Sequence, residues 1–389
     1  MSKSPKPTEV GSIFTPLFTL SLSATLLMIG VGMIVALLPQ RVFVATGSLE
    51  SVGLVASAFA FAYLLAQLPV GILADRFGVK RFLVAGYITC GIAGLVFVTA
   101  QTAPMIYLGR AIQGLGEAPI WALGPALLSL AYPNAKGRAI GIYNASIHGG
   151  LTLGPLLGLL VARTGADTLP FLIFACLCFS AGALVLLFLA NGHVPKRSAP
   201  RANRRGFTTV LRKRKVAIIL IGIFLYGSCY GVFVSVLPIS LTKSHGFSEG
   251  SIAAFFVVFY AAISLAQLTA GPISDRIGRR GFLIWGMVLA SAGIAAVTWF
   301  PNGWVFIPIC IASIGLGLFC VTSIAELNGS VDDDLKGTIS GAYYFFWAVG
   351  YMLGPLVVGW LMAAMPTGAL FGVAGILGVY SIIIWKAEG

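Results

Sequence analysis

Gly71-Ile-Leu-Ala-Asp75-Arg76-Phe-Gly78-Val-Lys80-Arg-Phe-Leu83 occurs once near the start of the chain and again, 200 residues later, as Gly271-Pro-Ile-Ser-Asp275-Arg276-Ile-Gly278-Arg-Arg280-Gly-Phe-Leu283. Each copy joins two long apolar runs through an Asp-Arg-x-Gly turn followed by basic residues. The same offset relates Leu65-Ala66-Gln67-Leu68 to Leu265-Ala266-Gln267-Leu268, Lys136-Gly137 to Lys336-Gly337, Tyr143 to Tyr343 and Gly154-Pro155 to Gly354-Pro355. A fixed period across so many positions marks an internal duplication.

The runs around these copies are membrane-spanning in character. Of 389 residues, 58% are hydrophobic and only 10% charged, against roughly 25% charged in soluble domains. So few charges cannot cover the surface of a soluble protein of this size. A spanning helix takes about 20 mostly apolar residues. Twelve runs qualify, near 17–39, 51–74, 82–100, 105–131, 139–162, 169–190, 216–240, 252–274, 282–300, 305–325, 339–362 and 368–385. Continuous rather than alternating apolarity excludes a strand barrel. Span 1 is too long for a secretory signal, and no small-residue cleavage site follows it, so it reads as a retained helix. The expected fold is an all-α membrane protein. Its twelve transmembrane helices form two six-helix bundles related by a pseudo-two-fold along the membrane normal, since an even number of spans per repeat leaves the halves parallel. The expected domains are 1–190, a basic cytoplasmic linker over 191–215, and 216–389.

Charge placement sets the orientation. With both termini inside, 21 of the 25 Lys and Arg fall on the cytoplasmic face. Arg41, Arg163 and Lys243 lie opposite, and Arg110 lies within a span. Positive loops are retained on the cytoplasmic side beside anionic lipid headgroups, so the net charge of +13 needs no nucleic acid. The linker, which holds nine of these cations between Lys196 and Lys215, reads as a solvated tether. The six cysteines read as small core hydrophobes: no pair has zinc-ligand spacing beside a His, and no metal or cofactor is expected.

The Gly71–Leu83 segment resembles the signature of the major facilitator superfamily in the loop between helices 2 and 3, and the resemblance extends over nearly the whole chain. It implies that Gly71, Asp75, Arg76, Gly78 and Lys80, with Asp275, Arg276, Arg279 and Arg280 in the second copy, form a cytoplasmic gate latching the bundles in the outward-open state. Val79 departs from the usual basic residue, which implies a weaker latch on the first side.

Charges at a helix centre are costly, and those that persist face a polar interior. Span 4 reads Gly109-Arg110-Ala-Ile-Gln113-Gly114-Leu-Gly116-Glu117-Ala118-Pro119. Arg110 and Glu117 stand about two turns apart with Gln113 on the same stripe. Arg110-x-x-Gln113-Gly114 resembles the span-4 motif of the superfamily's drug:proton antiporters, in which the Arg is implicated in proton coupling. Glu117 is then the expected proton carrier, because a low dielectric favours the neutral carboxyl and a nearby guanidinium favours the anion. Gly116-Glu117-Ala118 is similar to a stretch in spinster-type lipid carriers. Asn144 and His148, one turn apart on span 5, are further candidates for proton or substrate contact. Glu326 is expected to pair with Arg279 or Arg280. Gly150, Gly154, Pro155 and Gly158 resemble the antiporter signature of span 5, and small residues there equally make a packing seam.

The second half has no charged counterpart of this stripe, since Cys310 and Gly317 occupy the equivalent positions. It offers aromatic residues instead: Tyr226, Tyr230 and Phe233 on span 7 and Tyr343 and Trp347 on span 11. A cavity aromatic on one side and charged on the other suits an amphipathic solute, cationic near Glu117. No Gly-Lys-Ser/Thr phosphate loop or catalytic triad stands out, so ATP-driven and enzymatic functions are not expected. The resulting expectation is a monomeric secondary transporter of the bacterial inner membrane, exporting small amphipathic compounds against protons. An organic-anion uniporter or symporter, with Arg110 as anion ligand, and a lysolipid transporter or flippase are the alternatives.

Overall fold

The computed structural model describes residues 15–132, 136–162, 164–165, 167–190, 213–301, 303–331 and 336–387. Most of the basic linker lies outside the described residues. Those described form helices and no strands. The first half holds α1 (Pro16–Ile34), α2 (Leu37–Thr46), α3 (Leu49–Phe77), α4 (Val79–Thr99), α5 (Ala103–Ala131), α6 (Lys136–Ala162) and α7 (Leu169–Phe188). The second holds α8 (Arg214–Val234), α9 (Val236–His245), α10 (Glu249–Ile277), α11 (Arg280–Ala296), α12 (Phe306–Gly329), α13 (Lys336–Ala364) and α14 (Pro366–Ala387). They make twelve spans in two six-helix bundles, because α1 with α2, and α8 with α9, each count as one.

Those two spans were expected to be single helices ending near 39 and 240. Both are broken instead, at Val35–Ala36 and at Ser235, and both continue to Thr46 and His245. Proline explains the paired breaks. Pro39 and Pro238 fall in the first turn of the continuing helix, where a missing N–H leaves no intrahelical bond unmade. Ten helical segments are long and apolar enough to cross a membrane by length and composition. Of the other two spans, α11 is 17 residues long, and α5 carries Arg110, Gln113 and Glu117.

Local signals recur in both halves. Ser48 and Ser248 cap α3 and α10 by accepting from the amides of Ser51 and Ser251, each at 3.2 Å. Glu50 and Glu249 follow in the first turns, where carboxylates favour the helix dipole. Gly78 and Gly278 close the same two helices with φ of 97° and 99°, values that a residue with a Cβ rarely adopts.

Apolar side chains gain little from leaving lipid for protein, so close backbone approach holds the bundles together. The span-5 motif does this within the first bundle. Gly150 packs on Met28, Gly158 on Met33, and a Cβ at Gly154 would stand 2.5 Å from Gly32 Cα. Gly354 repeats the arrangement against Ser228 of α8. Between the bundles, α3 runs antiparallel to α13 and α6 packs on α10. Along the α3–α13 seam, Ser57 Oγ donates to the Met352 carbonyl at 2.5 Å. A Cβ at Gly53 would stand 2.5 Å from the Pro355 oxygen. At the same end Lys243 Nζ lies 4.2 Å from the Phe43 ring centroid, joining α9 to α2. The bundles are thus shut together at the face that the charge count places outside.

The charged residues of the two repeat copies are placed as follows. The side chain of Asp75 lies outside the described residues, and Arg76 is exposed, 5.2 Å over the Phe77 ring. In the second copy, Asp275 pairs with Arg279 at 2.7 Å. Arg279 also donates to the Ala325 carbonyl at 3.0 Å, and Arg280 to that of Trp385 at 2.7 Å. Glu326 meets Lys215 at 2.5 Å and Arg279 at 3.7 Å. Every one of these ties helices of the second bundle to one another, and among the described residues no ion pair joins the bundles. Arg279 finds its carboxylate one turn back on its own chain, and a seam shut on the outer face is not the outward-open state to which the resemblance assigns the latch. One smaller expectation fails, since Cys176 is exposed rather than core; Asn144 is exposed, and His148 one turn on is largely covered.

Candidate functional site

The span-4 stripe is continuous. Arg110, Gln113 and Glu117 are all buried. Arg110 Nη1 donates to Gln113 Oε1 at 2.9 Å, and Gln113 Nε2 donates to Glu117 Oε1 at 2.8 Å. Trp121 Nε1 completes the run by donating to Glu117 Oε2 at 3.0 Å. Spacings of three, four and four residues put all four side chains on one face of α5. At the other end, Arg110 Nε donates to the Val55 carbonyl at 3.1 Å. Its guanidinium carbon lies 4.6 Å from the Phe59 centroid, a favourable arrangement of cation and ring face. The buried charges are therefore connected through the Gln113 amide, which satisfies one with its oxygen and the other with its NH2.

Across the seam lies the aromatic partner. Trp347 and Tyr351 of α13 meet Tyr230 of α8 at 6.2 and 6.0 Å between ring centroids. They meet α3 through Tyr63–Trp347 at 6.0 Å and Phe59–Tyr351 at 5.9 Å. The Tyr351 hydroxyl faces the Arg110 guanidinium, so aromatic wall and charged stripe touch. Tyr343 sits apart from this group with its hydroxyl 3.4 Å from Cys320 Sγ, and Tyr226 reaches the same sulfur. Phe233 does not join: it is buried in its own bundle, stacked on Phe255 and Phe259 at 6.0 and 5.1 Å.

The structure also brings in residues that the sequence reading passed over. Trp121 was legible as the next step of the 110-113-117 stripe. Phe59, Tyr63 and Tyr351 carried no polar signal, and only the pairing of α3 with α13 brings them together. Gln267 was visible in the repeat, and its place beside the His148 ring across the α6–α10 seam became visible only in the fold.

Two stretches of the chain, residues 20–246 and 219–387, match the family described as Major Facilitator Superfamily. The chain belongs to that superfamily. Among its relatives is the tetracycline resistance protein, class C, of Escherichia coli, 26% identical over 354 residues that make up 88% of each chain. The solved nucleoside transporter NupG superposes with a TM-score of 0.74 at 16% identity, covering 96% of this chain and 98% of that one. A bacterial homolog of the human lysosomal transporter Spinster, solved inward-facing and unoccupied, gives 0.78 at 17% identity, covering 95% and 94%. The two structures share the fold with this chain. This superfamily member is a multi-pass membrane transporter rather than an enzyme, and superfamily transporters bind small-molecule substrates and often couple to ions.

Proposed function

We propose that this superfamily member is a proton-coupled exporter of small amphipathic compounds working by alternating access. The observation that carries the reading is the unbroken chain Arg110–Gln113–Glu117–Trp121, buried where the two bundles meet. Protonation of Glu117 removes the charge that Gln113 and Trp121 serve, and so loosens the hold of α5 on the seam through Arg110 and Tyr351. Rocking of the bundles then exchanges the proton for cargo. Similarity to a tetracycline resistance protein supports cargo of this kind and outward transport. The seam is closed at the end expected outside, which supports a conformation open toward the cytoplasm, and the Lys and Arg count supports both termini on that side of a bacterial plasma membrane. The organic-anion reading needs Arg110 available to cargo, whereas its guanidinium is already held by Val55, Gln113 and Phe59.

The test is transport in proteoliposomes under an imposed pH gradient, run beside Glu117→Gln. The variant should lose gradient-driven uphill transport by more than tenfold while keeping substrate counterflow. Uphill transport persisting in Glu117→Gln would remove Glu117 from the coupling role.

A further inference from the structure

The pseudo-twofold equates Gln67 of α3 with Gln267 of α10, and His148 of α6 with position 348 of α13. Two seam contacts should therefore be equivalent, an amide on one helix against a ring on the other. In the first, Gln267 lies beside the His148 ring, whose Nδ1 is itself buried without a hydrogen bond. The second has no ring at all, because position 348 is Ala, fully buried. Gln67 Nε2 is accordingly buried with no hydrogen-bond partner among the described residues. The Tyr63 hydroxyl, one turn earlier, interacts with this side chain without meeting Nε2 at hydrogen-bonding geometry. A buried donor left unmade is costly, and a ligand that satisfies it recovers that cost.

The surroundings specify the ligand further. Tyr63 stands edge-on to Trp347, 6.0 Å between centroids, so ring faces flank the amide. The charged groups nearby are engaged: Gln113 and Trp121 each hold one Glu117 oxygen, and Arg110 is taken by Val55, Gln113 and the Phe59 face. A neutral donor beside aromatic faces is what remains to recognise cargo. We propose that Gln67 is the hydrogen-bond donor of a cargo subsite on the α3–α13 seam, and that the subsite takes uncharged planar compounds bearing a carbonyl or ring-nitrogen acceptor. The inference rests on the transport reading and refines it, replacing the cationic solute suggested by Glu117 alone with a neutral acceptor.

Two fluorescent probes separate the possibilities. Acridone is planar, neutral and carries a carbonyl; proflavine is a similar planar ring system, but cationic, with its ring nitrogen protonated. Binding to the purified full-length protein in detergent is read by fluorescence anisotropy. Acridone should bind the parent more tightly than proflavine. Gln67→Leu, close in size, should weaken acridone about tenfold, equivalent to about 1.4 kcal/mol, and leave proflavine unchanged. Ala348→His, which offers Gln67 an internal partner, should weaken acridone similarly; should the imidazole not fit, Gln67→Leu decides alone. Equal acridone binding by parent and Gln67→Leu, as expected if water occupies the amide, would overturn the proposal. So would tighter binding of proflavine, or no acridone binding to the parent. Gln67-dependent binding without proton flux would sink the coupling reading and leave this one standing.

Discussion

Adding a side chain at Gly53 should pry open the closed face of the protein. A Cβ there would stand 2.5 Å from the Pro355 carbonyl oxygen, 2.9 Å from its carbon and 3.2 Å from the Leu356 nitrogen. All three are backbone atoms of α13, so no rotamer change relieves the contact. Optimal non-bonded separation is about 3.5–4.0 Å, and α3 and α13 must therefore part by about 1 Å. Overpacking of this kind costs about 1–3 kcal/mol. Only the shut state bears that cost, because once the seam is parted the new methyl groups meet nothing. A differential of that size shifts the balance between shut and open about 5- to 150-fold. The assay uses Ser57→Cys as reporter, since Ser57 is buried against Met352 in the shut seam, and follows its modification by a membrane-impermeant maleimide. The parent lacking the reporter supplies the blank for the native cysteines. Gly53→Val should speed modification by at least fivefold. Gly372→Val, where an added Cβ meets nothing within 4 Å, should not. Equal rates for Gly53→Val and the parent would show that this close approach does not hold the face shut.

Two further outcomes follow from the contacts described. Trp121→Phe keeps the ring and deletes the donor to Glu117; a hydrogen bond to a charged group is worth about 1.5–3 kcal/mol, so proton-coupled transport should fall ten- to hundredfold with a displaced pH profile, whereas a packing role alone would leave the profile in place. Asp275→Asn breaks an exposed pair with Arg279 inside one bundle, worth about 0–1 kcal/mol after screening, so the melting temperature should move by a few degrees at most and the Ser57→Cys modification rate should not change; a large change in that rate would restore a latch between bundles.

The twofold repeat and the charged stripe could be read directly from the chain, because both are patterns along sequence: a 200-residue offset and spacings of three and four on one helix. What could not be read depended on partners from distant helices. Arg110 is held by Val55 and Phe59, which carry no charge and sit in an unbroken apolar run. Phe233 looked like Tyr230 in spacing and both rings reach Phe259, yet Phe233 stays in the interior of its bundle while Tyr230 also meets Trp347 at the seam. The pairing of Asp275 with Arg279 inside one bundle was hidden for the same reason, since a sequence shows that the two are one turn apart but not which partners compete for them.

The duplication also explains how one chain can hold two different jobs at one seam. After copying, each amide and ring pair across the bundles starts equivalent, and a change on either side alters only one member. Position 148 is His while 348 is Ala; positions 110 and 117 are Arg and Glu while 310 and 317 are Cys and Gly. The first bundle thus keeps the ionisable groups, with Arg110 and Glu117 buried and both satisfied through Gln113, and the second supplies ring faces. A charge is cheapest to hold where its partners travel with it, and Arg110, Gln113, Glu117 and Trp121 all ride on α5. The chain can therefore stay intact while the bundles rock, and only its contacts with Val55, Phe59 and Tyr351 need to be remade. On the proposed function, separation of the proton's groups from the cargo's aromatic wall lets either be occupied first, and their meeting at Arg110, Phe59 and Tyr351 is where occupancy of each is felt by the other.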